Sequence, residues 1–324
     1  LVGAANRVVV GIPKTFAVEG SWIQEDDEVF LKNAEAQTPA VKVDANSTFT
    51  LDFAEAYSAQ PMKVNYRFNS MPVMEYAMSI QQSYVQSTTL SGETNYAVYG
   101  IPITVESVGN GFSDADRLYF VEYQNDCAVD GGFTQAFQLQ TVSSSAVTAV
   151  VTLNELAAGK EVKLCYAFGD EGAIAISSMI HVIRLDDIVV VGGGSKNVAV
   201  AGQVKDVTVS GLYLRMGDRI TFHATADCAS TPVASFPVRE IDGVFETSYY
   251  FTEGSNGAAY TMCYHYGSYA ANVRMYPEFS VVVKKFTGFL DSLVDNEISY
   301  FVARNPKPVR VVTDGFAAGD KLAF

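Results

Sequence analysis

Long apolar runs are missing from this sequence. The longest candidate, around Ile188 to Val191, ends at Gly192-Gly193-Gly194, far short of the roughly eighteen residues a membrane-spanning helix needs. No sustained stretch places apolar residues every three or four positions, so long amphipathic helices are not expected. Basic charge is scarce: 22 Lys and Arg stand against 36 Asp and Glu, and the formal net charge of −14 repels a phosphate backbone, which argues against nucleic acid as a partner. Only 3 histidines occur, in separate local contexts, and no nucleophile elbow, phosphate loop or zinc-protease signature accompanies them. The chain reads as a non-enzyme without a cofactor.

What is present points to strands. The 324 residues are 48% hydrophobic and 18% charged, enough to bury several cores. The 20 Phe and 18 Tyr, together with many Val and Thr, suit pleated surfaces where branched and aromatic side chains pack across strands. The expected class is all-β.

One pattern recurs: a glycine-led turn, an Asp, then a hydrophobic strand. Its copies open at Gly20, Gly111, Gly211 and Gly315 and carry Asp27, Asp116, Asp218 and Asp320, at steps of 89, 102 and 102 residues. A second pattern follows in the first three copies, as Met62-Lys-Val-Asn-Tyr-Arg-Phe68, Val162-Lys-Leu-Cys-Tyr-Ala-Phe168 and Thr261-Met-Cys-Tyr-His-Tyr266. A large apolar residue, Phe53, Leu153 or Phe251, stands 12 positions before Asn65, Cys165 or Cys263. Gly-Ile-Pro occurs at Gly11 and again at Gly100, 89 residues on. Within the second pattern Val64, Tyr66 and Phe68 alternate with polar neighbours, as do Leu164, Tyr166 and Phe168, and Met262, Tyr264 and Tyr266. Period two marks a strand with one buried face, so the three tyrosines are expected inside and Lys63, Lys163 and Thr261 outside.

The Gly-x-x-x-Gly-Asp-x-Leu-x-Phe segment at 315–324, the Asp-Cys that follows the Asp-led strand, and the Leu-Cys-Tyr-x-Phe-Gly strand at 164–169 resemble the immunoglobulin-like repeats of large secreted and surface proteins, including fibre-forming and adhesive ones. The resemblance implies tandem immunoglobulin-like β-sandwich domains, about three complete plus one partial, at 1–88, 89–187, 188–286 and 287–324. It implies architecture and an extracellular or cell-surface location rather than an activity.

The 4 cysteines fall two by two, Cys127 with Cys165 and Cys228 with Cys263, at matching places in the second and third units, while the first unit has neither. Joint presence and joint absence predict these two disulfides, with four free thiols as the alternative reading. Asn65 stands in the cysteine position of the first unit, flanked on its own face by Lys63 and Arg67, so the disulfides are expected on the outer face of the sandwich and not in its core. Disulfides persist in oxidising compartments.

Other candidate sites are weaker. His223, Cys228, Cys263 and His265 supply the ligand types of a zinc site, but the second unit keeps its cysteines with Val121 and Ala167 in the histidine places, so no metal is expected. The acidic turns Glu25-Asp-Asp-Glu28 and Asp114-Ala-Asp116 hold calcium-type ligands, yet only one Asp is common to all copies, which favours a turn role. Asn46-Ser-Thr48 is a glycosylation acceptor pattern, and Trp22 either covers a core edge or binds sugar. The start at Leu1 rather than Met reads as a processed terminus or a fragment.

The expected function is a structural subunit of an extracellular fibre or surface appendage, a homopolymer of copies of itself. Its partial last unit offers Val309, Val311, Phe316, Leu322 and Phe324 as an assembly interface for strand complementation. The alternative is an adhesin or receptor ectodomain that binds a glycan or a protein through its loops.

Overall fold

The computed structural model describes residues 7–69, 71–93, 95–127, 132–252, 259–268, 270–291 and 309–314. They form strands joined by turns, with a single 3-10 turn at Glu155–Ala157 capped by the Asn154 side chain. The chain divides into two compact units, Leu1–Val182 and Ile183–Phe324.

The first unit contains two sandwiches. In the first of these, Val41–Lys42, Glu28–Lys32, Met62–Arg67 and the opening of Met74–Leu90 pair in that order, and Arg7–Val9 joins parallel to Gln81–Ser83. The facing sheet holds Lys14–Ala17 paired with Thr48–Leu51. Val29, Leu31, Phe49, Leu51, Phe53, Val64 and Tyr66 fill the space between.

The second sandwich repeats the plan with a fuller second sheet. Arg117–Glu122 and Glu161–Ala167 pair with the start of Ile180–Val190, which also takes Tyr96–Val98. Opposite lie Thr134–Ser143, Ala146–Leu153, Pro102–Asn110 and the second half of Met74–Leu90. Val105, Leu118, Phe120, Val151, Leu164, Tyr166 and Phe168 form its core.

The second unit shows the plan again. Val198–Val200, Val273–Asp291, Ala259–His265, Arg219–His223 and Ala234–Pro237 make one sheet. Residues 184–190, Val204–Leu212, Val244–Tyr250 and Arg239–Ile241 make the other. Two sheets arranged in this way around one core are immunoglobulin-like sandwiches. Tyr66, Tyr166 and Tyr264 are all buried, as period two requires. On the opposite face Lys63 is exposed, but Lys163 and Thr261 are half-buried, because the disulfides bring extra chain over that face.

One backbone device recurs in step. Gly11, Gly100 and Gly202 all have positive φ, of 85°, 78° and 78°, and each N–H donates to the carbonyl of Phe53, Leu153 or Phe251 at 2.8 Å. Glycine costs nothing in this left-handed region. The third copy has no Ile-Pro after it, yet it lies 102 residues beyond Gly100, the same step as the Asp repeat.

No loop separates the expected units at 88–89, because that point falls inside the strand Met74–Leu90. Its first part belongs to one sandwich, and Tyr84–Leu90 pairs antiparallel with Val105–Asn110 of the next, after a register shift between Val85 and Ser87. Strand Val273–Asp291 behaves alike: its early part pairs with Ala259–His265, and Lys285–Asp291 pairs with Val309–Asp314 after a shift between Phe286 and Gly288.

Candidate assembly sites

The recurrent Asp is a buried hub. Asp27 Oδ2 accepts from Gln24 N at 2.9 Å and from the Tyr66 hydroxyl at 2.8 Å, while Oδ1 accepts from Asn69 N at 3.1 Å. Asp116 Oδ2 accepts from Ser113 N and the Tyr166 hydroxyl, both at 2.9 Å. Asp218 accepts from Arg215 N at 3.2 Å, the Tyr264 hydroxyl at 2.9 Å and Gly267 N at 2.7 Å. The turn role is present, but the carboxylate also ties the turn to the strand that carries the core tyrosine. Burial alone raises a carboxyl pKa. At Asp27 the bonds from Gln24, Tyr66 and Asn69 outweigh it and hold the group below the usual range, whereas the deeper Asp218 stays above it.

The turn geometry adds a feature that the motif does not show. The left-handed residue is the leading glycine only in the second copy: it is Trp22, Gly111 or Tyr213, with φ of 70°, 72° and 59°, at the same 89 and 102 steps as the Asp. Gly109 and Gly211 stand two positions earlier in the repeat, in phase with Gly20, and have a different job. A Cβ on Gly109 would lie 2.0 Å from Tyr84 O, and one on Gly211 would lie 2.2 Å from Arg184 O. These glycines let the neighbouring strand pass close.

Around Asp116 the two sandwiches of the first unit lock together. Arg7 donates from Nε to Ser83 Oγ at 2.7 Å and from Nη2 to Gly111 O at 2.6 Å, and its guanidinium contacts the Asp116 carboxylate at 3.3 Å. The same guanidinium lies 5.1 Å above the Phe168 ring. Lys14 Nζ reaches Glu171 Oε2 at 2.6 Å, and Asn110 Nδ2 donates to Gln82 O at 2.8 Å and to Ala59 O at 3.0 Å. Ile12 packs against the second core. Ser83 and Gln82 are fully buried here: Ser83 Oγ is held by Arg7, while Gln82 Oε1 accepts from Tyr57 N at 2.8 Å and Ser58 N at 3.2 Å.

Both disulfides are formed. Cys127 joins Cys165 with Cα atoms 5.7 Å apart, and Cys228 joins Cys263 at 5.8 Å. Cys127 and Cys165 sit with Tyr119 and Val121 in a small cluster separate from the core that holds Leu164 and Tyr166. That is the outer face, although Tyr119, Ala167 and Ala173 bury it. Asn65 takes the matching place in the first sandwich and donates from Nδ2 to Lys63 O at 3.0 Å.

With Cys228 and Cys263 oxidised, the two-Cys, two-His ligand set does not exist. His223 and His265 instead both place Nε2 against Thr221 Oγ1, at 2.8 and 2.9 Å, and His223 Nδ1 lies 3.1 Å from Ser230 Oγ. Burial, with Arg219 and His223 beside it, lowers the His265 pKa to about 4. The acidic run at 25–28 does not converge either: Asp26 pairs with Lys42 at 2.7 Å, Glu28 with Arg67 at 2.7 Å, and Asp27 faces inward to Tyr66.

Asn46 is exposed in a turn, where Asp44 accepts from its N–H at 2.9 Å and from the Thr48 hydroxyl at 2.7 Å. Trp22 is 87% exposed, so it covers no core edge. Val309 and Val311 lie on the strand that pairs with Lys285–Asp291, opposite Asp291 and Phe289. Phe316, Leu322 and Phe324 lie outside the described residues. A cleft of about 840 Å³ in the first unit, lined by Arg117, Lys163, Asp126 and Asp170 beside Cys127, was not foreseen, since its residues come from several separate segments.

No family model matches the chain, and no curated protein matches it. Similar solved structures include the Escherichia coli adhesin FdeC, at 13% identity over 85% of this chain and 93% of that one with a TM-score of 0.30. A mutated three-Ig segment of titin is 8% identical over 86% and 94%, with a TM-score of 0.26. The Yersinia pseudotuberculosis adhesin InvE is 13% identical over 60% and 58%, with a TM-score of 0.22. The assignment of this chain to tandem immunoglobulin-like sandwiches stands on its own strand pairing, and its two disulfides fit an extracellular or cell-surface setting.

Proposed function

We propose that the chain is a structural subunit of an extracellular fibre or cell-surface appendage, with copies of itself as partners and the sandwiches as its links. The observation that supports this reading is the joint in the first unit. Strand Met74–Leu90 belongs to both sandwiches, and Arg7, Lys14 and Asn110 tie their facing ends together. Such a joint resists pulling through a ladder of backbone hydrogen bonds rather than through a flexible linker. Strand complementation is the mode of assembly in this reading, and Asn46 carries a glycan if the cell of origin glycosylates.

The cleft beside Cys127, with two cationic and two anionic side chains, favours a second reading as an adhesin that holds a ligand there. Negative-stain electron microscopy of native surface material, with an antibody against the chain as label, separates the two. Labelled filaments with the antibody repeating along their length are expected. Diffuse label on monomers, together with retention of the purified chain on a glycan array, supports the adhesin and sinks the fibre.

A further inference from the structure

Among the described residues, the first sandwich shows no counterpart of one strand that the other two have. In the second sandwich Pro102–Asn110 lies between Ala146–Leu153 and Tyr84–Leu90, and in the second unit Val204–Leu212 lies between Val244–Tyr250 and residues 184–190. The matching strand of the first sandwich, Lys14–Ala17, pairs only with Thr48–Leu51 among the described residues. Among the described residues its other edge carries no strand.

Two further observations show that this edge is shaped for a strand. Gly20 is in phase with Gly109 and Gly211, whose only evident need for glycine is the close approach of the neighbouring strand's backbone. At Gly20 a Cβ would meet nothing nearer than Ile23 Cδ1 at 3.4 Å, and its φ is not left-handed, so the structure itself gives no reason for glycine. Second, an opening of about 130 Å³ lined by Val18, Val29, Phe49, Val64 and Tyr66 leads into the core. In the second sandwich Val85 and Leu90 of the added strand pack against the corresponding core.

We propose that the free edge of Lys14–Ala17, extended through Gly20, receives segment 284–291 of a second copy as an antiparallel strand. The occupant follows from the repeat. Residues 285–291 continue strand Val273–Asp291 as residues 84–90 continue theirs, with the same register shift. Carrying over the pairing of Tyr84–Leu90 places Phe286 opposite Gly20, Phe289 opposite Val18 and Asp291 opposite Phe16. Within its own chain this segment pairs with Val309–Asp314, where Thr313, not glycine, stands opposite Phe286. Exchange of that partner for the glycine-bearing edge of another copy makes a head-to-tail, heterologous contact, which propagates as a filament. The inference deepens the fibre reading and rests on it for its biological setting, but not for its chemistry.

A mixed cross-linking experiment tests it. Full-length Ser21→Cys and full-length Lys285→Cys, positions that face each other in the carried-over register, are combined under mild oxidation. A covalent heterodimer on a non-reducing gel is expected, absent from either variant alone and at least tenfold reduced when Gly20→Val is added to the Ser21→Cys chain. A Cβ at Gly20 meets nothing nearer than Ile23 Cδ1 at 3.4 Å in the isolated sandwich, and the far-ultraviolet circular dichroism and melting temperature of Gly20→Val report separately on folding. A peptide of residues 282–292, titrated against the full chain, is expected to bind the wild type and not Gly20→Val. Lack of both the heterodimer and peptide binding overturns the proposal. Filaments that persist in Gly20→Val overturn this joint and leave the fibre reading standing, whereas peptide binding by a chain that never polymerises supports the joint and removes the fibre.

Discussion

The Tyr166 hydroxyl donates to Asp116 Oδ2 at 2.9 Å, 50 residues away in sequence, and Tyr66 with Asp27 and Tyr264 with Asp218 repeat that bond in the other two sandwiches. The acceptor is a buried carboxylate already engaged by backbone N–H groups, so the phenol closes a network rather than adding a lone contact. Burial and the neighbouring carboxylate push all three phenols above their usual pKa. Tyr166→Phe is therefore expected to cost about 1.5 to 3 kcal/mol, the range for hydrogen bonds to charged groups. Asp116→Ala is expected to cost more, since it also strips partners from Ser113 and Arg7. Urea denaturation of the two variants checks the order, and a Tyr166→Phe variant as stable as wild type removes the hub from the account of stability.

The disulfides give an internal control, because the first sandwich has none. Each closes a span of 38 or 35 residues. The chain-entropy relation puts the contribution at about 3 to 4 kcal/mol for spans of this size. Reductant is expected to shift the unfolding of the second and third sandwiches and to leave the first unchanged, where Asn65 satisfies its own position through Lys63 O. Hydrogen exchange followed strand by strand, with and without reductant, reads this directly: loss of protection at Met62–Arg67 equal to that at Glu161–Ala167 is the contrary result.

Much of this plan was readable in the sequence because it is repeated at domain scale. The 89 and 102 steps carried Asp27, Asp116 and Asp218 into equivalent turns, and period two put Tyr66, Tyr166 and Tyr264 inside. Applied to Gly100, the same step also finds Gly202, whose lack of Ile-Pro hid it. The left-handed turn position was not readable, because Trp22 and Tyr213 occupy a conformation that their side chains disfavour by about 1 to 2 kcal/mol, and only the backbone angle reveals it. Nor was the joint. The expected boundary at 88–89 says nothing of how the units connect, and Met74–Leu90 crosses it as one strand with a shift of register.

Acid sensitivity is expected from the third sandwich. His265 has its pKa lowered from 6.5 to about 4, first by burial and then by Arg219 and His223. The unfolded chain therefore takes up a proton at this group before the folded one does. Its contribution to stability is complete above pH 6.5, declines as the pH falls, and is gone once the folded group itself protonates near pH 4. His265→Gln, which keeps a hydrogen-bonding side chain beside Thr221, is expected to flatten the dependence of melting temperature on pH across that window. An unchanged slope in the variant assigns the acid response to other groups.

Three glycines in one phase of the repeat are expected to respond differently to the same substitution. At Gly109 and Gly211 a Cβ falls 2.0 and 2.2 Å from the backbone oxygens of Tyr84 and Arg184, and a backbone atom held in a strand ladder has no rotamer with which to yield. The strands must separate locally, so Gly109→Ala and Gly211→Ala are expected to lose about 1 to 3 kcal/mol, the usual range for overpacking, or more. Gly20→Ala meets only the tip of Ile23 at 3.4 Å, and its backbone is not left-handed. It is expected to leave the melting temperature of the isolated chain unchanged or slightly raised, because alanine reduces the freedom of the unfolded chain. Differential scanning calorimetry of the three variants at a concentration where the wild type is monomeric makes the comparison. Equal destabilisation at all three positions would mean that the edge beside Gly20 is already filled within the single chain.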